Sequence, residues 1–391
     1  MIVLPSLLGS VATGVALIAG LFLTVKWVLG RSDPVQRSFE CRTASLVCLS
    51  YFLYFMGVTV IAGGATERLL EVALILPAVL FPAIFRLADL ATSAVRPLLV
   101  TRIAYIGLLP VLLALVLSTY AFGTDRTGLL AGNPNILGGV MAVQIVLTFA
   151  GMGVASQTER LVIAGIALVS ACAIYLFTWN GGAILALIIA AIFAGLPLAN
   201  LHWSRGRGGW NFVADVALVS GAAVALMIIF LLLPVNIRFP TEEEYLPTST
   251  MQRLIMYQTG IQGFLDHPIF GVGLHQRFGV TLNYHPTPPP SSFWFSHLHN
   301  SFLTHAVAGG LPGAALSMAV TLLPSFILRK TPLMRFGNML SGVLIGVGLT
   351  EVLLLNDLKM TIALSAIALS LALRNGCDGL KDVEASRNAK P

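Results

Sequence analysis

The sequence predicts an all-α membrane protein of about eleven transmembrane helices, with one long outer loop that holds short amphipathic helices. Three observations predict it. The 391 residues are 57% hydrophobic and only 10% charged, with a mean hydropathy of +0.87, whereas soluble proteins carry roughly a quarter charged residues. Runs such as VATGVALIAGLFLTV, VALILPAVLFPAIF and GAAVALMIIFLLLPV are apolar all round, and each is long enough, or nearly so, to cross a ~30 Å hydrocarbon core as a helix. None alternates apolar and polar residues over about ten positions, as a membrane barrel strand would.

Taken in order, the expected spans are 3–24, 43–63, 69–86, 98–122, 135–155, 161–178, 181–200, 211–234, 299–328, 336–355 and 360–374. They divide the chain into N-terminal spans (1–130), central spans (131–234), a loop (235–298), C-terminal spans (299–374) and a polar tail (375–391). The ninth span is long for one crossing, so it is expected to start in the interface or to tilt. Pro312 within GGLPG is expected to kink it by removing a helical hydrogen bond. The first apolar run lacks a preceding basic region and a small-residue cleavage site, so no cleavable signal peptide is expected.

Charge orders the loops. The net charge of +6 and pI near 9.3 do not point to nucleic acid, because the basic residues lie in short loops between apolar runs. With these spans, 17 of the 23 basic residues fall on one side, among them Lys26, Arg96, Arg205, Arg329 and Lys381. Basic residues favour the cytoplasmic side. The N-terminus and the 235–298 loop are then outside, and the tail is inside. All four cysteines (Cys41, Cys48, Cys172 and Cys377) lie in spans or near the inner side, so no disulfide is expected in the outer loop. The chain has no Walker motif, dinucleotide glycine pattern or EF-hand spacing, which argues against ATP-driven chemistry.

Polar chemistry concentrates in the outer loop. Six of the seven histidines lie in it or just beyond it, at 267, 275, 285, 297, 299 and 305. Histidine suits proton transfer near neutral pH, although an interfacial histidine commonly just bridges water and lipid. A metal set of His297, His299 and His305 is disfavoured, because no carboxylate follows nearby to complete it. Asn300 and Ser301, just after His299, are suited to cap the incoming helix. The stretch MQRLIMYQTGIQGFL reads as an amphipathic helix able to lie on a membrane surface. Its Arg253 is either a snorkelling cation or a bidentate phosphate clamp. DHPIFGVGL follows, where the residue before proline leaves the helical region and Gly271 and Gly273 permit an anion-binding backbone nest.

The order of these pieces resembles the O-antigen ligase and polysaccharide polymerase superfamily of bacterial membrane glycan transferases. The likeness rests on GNPNILGG (132–139), TWNGGAILAL (178–187), MQRLIMYQTGIQGFL (251–265), HPIFGVGL (267–274), HNSFL (299–303) and GGLPG (309–313), and covers residues ~130 to 330. HPIFGVGL together with HNSFL is its specific part. The family's small-residue turn carries an arginine, where this chain has Trp179, Asn180 and Gly181. Arg277, Arg126 or Arg238 could supply the missing charge, with Arg277 nearest to the motif loop.

The resemblance implies transfer of a glycan from undecaprenyl diphosphate to an acceptor hydroxyl, on a glycan or glycolipid, at the periplasmic face of the bacterial inner membrane. His299 would accept the hydroxyl proton, and Arg253 would stabilise the departing diphosphate with neither cofactor nor metal. Asn300, Gly271, Gly273, Asn180 and Arg277 would contact substrate. The lipid bilayer is an expected partner and nucleic acid is not. Two alternatives stand beside a ligase: a repeat-unit polymerase of the same superfamily, and a transporter or flippase without covalent chemistry. Transporters usually place charge at mid-membrane, whereas here Asp89 and Asp215 sit near inner ends of spans and Glu351 near an outer end.

Overall fold

A computed structural model describes residues 39–62, 96–122, 134–178, 180–195, 249–274, 298–354, 360, 363–375 and 377. Within them the chain is helical and contains no strand. In order, the helices are α1 (Phe39–Ile61), α2 (Pro97–Phe122), α3 (Pro134–Thr148), α4 (Gln157–Ala173), α5 (Gly181–Gly195), α6 (Ser249–Asp266), α7 (Ser301–Leu328), α8 (Met334–Thr350) and α9 (Ala363–Asn375). Among the described residues, four segments are long and apolar enough to cross a membrane: Phe39–Ile61, Pro97–Leu117, Gln157–Thr178 and Ser301–Leu328. Three shorter apolar helices accompany them: Asn135–Thr148, Gly181–Ala194 and Ala363–Asn375. The expected spans 3–24, 69–86 and 211–234, loop residues 235–248 and 275–297, and tail residues 378–391 lie outside the described residues.

Local sequence explains where these helices begin. Pro97 and Pro134 open α2 and α3 at the first helical position, where the missing N–H costs nothing. Ser156 caps α4 by accepting from the Glu159 N–H at 3.3 Å, the first half of a capping pair three residues apart. Glu159 also accepts from Arg102 at 2.9 Å, tying α4 to α2. Helix α4 then continues as a π-helical turn, Ile174–Thr178, which carries the chain into the turn at Asn180.

On α1 two faces separate. Ala44, Cys48, Tyr51, Phe55 and Val58 are buried at three- and four-residue spacing, while Leu46, Leu53 and Val60 lie exposed on the opposite face. Helices α5 and α8 meet along a seam of small residues at four-residue spacing. Gly182 approaches Thr350, Ala186 approaches Gly346 and Ala190 approaches Gly342. Small side chains let backbones come close, so dispersion contacts replace the hydrophobic drive that lipid cannot supply.

Helix α7 departs from the expected tilted ninth span. Gly310 has φ 61 and ψ −160, which breaks the helix into two arms, 301–309 and 311–328. Gly313 lies against the carbonyl oxygen of His305, and Phe302 shares an apolar cluster with Met318 and Leu322. A straight helix would hold these partners about 12 Å, 24 Å and 30 Å apart. The first arm therefore folds back beside the second. The break falls at Gly310 rather than Pro312, because only glycine readily adopts this backbone conformation. Pro312 instead occupies the first turn of the second arm, where its ring is tolerated.

Candidate functional site

The short arm of α7 delivers His299 to the site. Asn300 adopts φ −150 and ψ 115, and its side chain accepts from the Leu303 N–H at 2.9 Å, so it caps the arm. His299, one residue earlier, has φ 48. Histidine is among the few non-glycine residues enriched in this left-handed region. Strain of this kind persists only where surrounding structure imposes it. The turn directs the imidazole towards the C-terminal end of α8.

There it meets Glu351, the residue that ends α8. Glu351 is buried, and its Oε1 lies 3.4 Å from Nδ1 of His299 and 3.6 Å from Nη2 of Arg253. One carboxylate thus gathers the histidine and the arginine that the sequence placed 46 residues apart. His299 and Arg253 both retain partial exposure, with side chains 20% and 26% accessible. The sequence located Glu351 at the end of a span but did not connect it to this pair. A buried acid at the end of an apolar helix was the signal that could have done so.

Helix α6 spans Ser249–Asp266 where the amphipathic pattern predicted 251–265. Its apolar face packs on the short arm of α7: Met256, Tyr257, Ile261 and Phe264 join Leu298, Leu303 and Val307 in one cluster. The Tyr257 hydroxyl lies 3.2 Å from the carbonyl oxygen of His299 and 3.0 Å from that of Leu349. It braces the turn that carries the imidazole. Burial pushes this phenol up to about 12, Arg253 opposes that rise, Glu351 adds to it, and the hydrogen bond with Asn300 lowers it. Tyr257 therefore stays a neutral donor throughout the physiological range.

Behind the site, Tyr51 of α1 joins two of its components. Its hydroxyl is 2.6 Å from Nε2 of His305 and 3.3 Å from the carbonyl oxygen of Leu354. Nδ1 of His305 faces the carbonyl oxygen of Ser301, so a proton on Nδ1 leaves Nε2 to accept from Tyr51. His305 is fully buried with both ring nitrogens engaged, which sets it apart from His299.

The remaining expected residues fall into two groups. Asn180 is buried beside the site. Its Nδ2 donates to the Asn135 carbonyl at 2.8 Å, and its Oδ1 accepts from the Ala183 N–H at 3.0 Å. It therefore caps α5 and joins the NPN turn to the WNGG turn, with Gly182 set against Thr350 next to Glu351. Gly271 and Gly273 have φ 66 and 83 and belong to the turn docked against Gly309 and Gly310. There Val272 N–H donates to the Val307 carbonyl at 2.9 Å and Gly273 N–H to that of Ala308 at 2.8 Å. These two amides satisfy carbonyls that the helix break releases, rather than standing open as an anion nest. Arg277, His275, His285, His297, Arg126, Arg238 and Trp179 lie outside the described residues.

Comparison with known proteins adds one finding. Residues 165–318 match the family model described as O-antigen ligase. The match runs from α4 into the second arm of α7 and takes in Asn180, Arg253, the GVG turn and His299, but stops short of Glu351. It supports the likeness carried by the motifs. No curated protein matches the chain.

Proposed function

We propose, from that O-antigen ligase match and the geometry around His299, that this chain is a membrane glycan transferase. It moves a glycan from undecaprenyl diphosphate to an acceptor hydroxyl at the periplasmic face of the inner membrane. The observation that carries the reading is the single carboxylate, Glu351, shared by His299 and Arg253 at 3.4 and 3.6 Å.

The chemistry follows from these contacts. With its proton on Nδ1, His299 donates to Glu351 and keeps the Nε2 lone pair for the acceptor. As the acceptor oxygen bonds to the anomeric carbon, its proton passes to Nε2. The bond from that carbon to the diphosphate oxygen breaks, and the electron pair leaves with undecaprenyl diphosphate. Glu351 stabilises the imidazolium that results, the role a buried carboxylate plays behind a general-base histidine. Arg253 faces the charge growing on the leaving diphosphate, which its planar fork is shaped to bind. An incoming diphosphate competes with Glu351 for Arg253, so substrate binding frees the carboxylate to act on His299. In this reading Asn180, Asn300 and Tyr257 hold the site from behind, and no metal takes part.

The test uses purified protein, a lipid-linked donor and an acceptor, with excess chelator present. His299→Asn keeps a side chain suited to positive φ but cannot take the proton, so turnover should fall by about 10²–10⁴-fold while the protein still accumulates. Arg253→Lys keeps charge but loses the fork and should be impaired. Near-normal turnover by His299→Asn, or loss of wild-type turnover on chelation, would sink this mechanism.

A further inference from the structure

The turn that links α6 to the GVG segment carries apolar side chains that nothing in the described residues covers. Leu265, Ile269, Phe270 and Leu311 are each 63–66% exposed. They come from two stretches of sequence and meet at one place. The Leu311 N–H donates to the Pro268 carbonyl at 2.8 Å, and Gly310 lies against the Ile269 carbonyl. Ile269, Phe270 and Leu311 therefore crown the apex where α7 folds back, with Leu265 close before them in the last turn of α6.

Two observations choose the occupant. Leu311 lies within Ser301–Leu328, a segment apolar enough to cross a membrane. The same turn runs directly onto the end of another such segment, Phe39–Ile61: Gly273 approaches Ala62, and the Leu274 N–H donates to Thr59 Oγ1 at 3.3 Å. At that end Val60 and Ile61 are exposed as well. The apolar crown thus continues the exposed apolar surface at the end of α1. Asp266 and His267, which flank it, are also exposed, so the crown meets the bilayer at its polar boundary rather than its centre.

We propose that the apex of α7 and the His-Pro turn form a membrane wedge. Ile269, Phe270 and Leu311 insert into the acyl chains of the leaflet nearest the site, to the depth of about 5–10 Å typical of interfacial apolar faces. The short arm of α7 is nine residues long and therefore about 14 Å from apex to foot. Anchoring the apex at the lipid boundary holds in place the joint from which that foot presents His299. The wedge stands apart from the reaction, since it depends only on lipid contact.

Full-length protein with Cys172 and Cys377 changed to Ser would be labelled with an environment-sensitive fluorophore at Phe270→Cys. It would be reconstituted into phosphatidylcholine–phosphatidylglycerol vesicles with or without spin label on the acyl chains. The wedge requires stronger quenching by the acyl-chain label than by aqueous iodide. A probe at Gln262→Cys, exposed on α6, should show the smaller ratio of lipid to iodide quenching. Leu311→Cys gives an independent reading from the second stretch and should behave as Phe270→Cys does. Iodide quenching that exceeds lipid quenching at both apex positions would place the crown in water. Protection from both quenchers would mean that protein covers it. Either result overturns the proposal.

Discussion

At the scale of single residues, the site depends on side chains that hold one another. Glu351→Gln keeps the shape of the acid but loses the charge that steadies His299. Turnover should fall by roughly 10²-fold or more, with a smaller change in donor affinity, because imidazolium forms only during transfer. Tyr257 makes a prediction about pH. Its folded value is raised from 10.0 to about 12, so the unfolded chain releases this proton first as pH rises. The stability it contributes is complete below pH 10 and is lost as pH climbs towards 12. Tyr257→Phe should therefore lower activity by loosening the His299 turn, while leaving the shape of the pH–rate profile below pH 10 unchanged. A shifted profile would make Tyr257 a proton carrier rather than a brace.

At the scale of elements, two joints hold the site in place. Gly310 sets the fold-back of α7, at a backbone conformation closed to other residues. A Cβ there would also overlap the Ile269 carbonyl oxygen. Gly310→Ala should lower the thermal midpoint in detergent and reduce accumulation, since strain alone costs about 1–3 kcal/mol and the overlap adds to it. Asn180 is the second joint. The arginine found at this place in the family pattern would keep neither the cap on α5 nor the bond to Asn135, and would force a larger charged group into a buried position. Asn180→Arg should therefore destabilise the protein and abolish activity. Asn180→Ala should cost about 1 kcal/mol for the cap, plus the lost bond to Asn135. A more active Asn180→Arg enzyme would show that this turn still accommodates the family's geometry.

Across the whole molecule, a buried ion pair closes the end opposite the site. Arg374 at the end of α9 pairs with Glu40 in the first turn of α1 at 3.0 Å and donates to the Ile327 carbonyl of α7 at 2.7 Å. Each charge also suits the helix terminus it occupies. Arg374→Met strands Glu40 in an apolar setting and should cost about 3–5 kcal/mol, visible as a lower unfolding midpoint. Adding Glu40→Gln should restore part of the loss, because the damage comes from the unpaired charge rather than from the missing bond. Two of the three helices clamped here, α1 and α7, also carry Tyr51 and His305, so the clamp bears on the site from a distance.

The sequence by itself determined the helical class and, among the described residues, the approximate limits of the helices, because lipid demands that each spanning segment satisfy its own backbone. It also determined the pairing of HPIFGVGL with HNSFL, and named His299 and Arg253 as the residues to watch, since motif order survives in one dimension. Three features were decided only by tertiary structure. The carboxylate that joins His299 to Arg253 comes from Glu351, a distant residue whose neighbours no periodicity encodes. Gly271 and Gly273 serve the broken helix because the carbonyls they bond are released only once Gly310 turns the chain. Asn180 has a capping role that shows only when α5 is seen to start there. Local pattern specifies which segments enter the membrane; which polar atoms then find one another depends on how those segments fold back, because burial leaves each of them few possible partners.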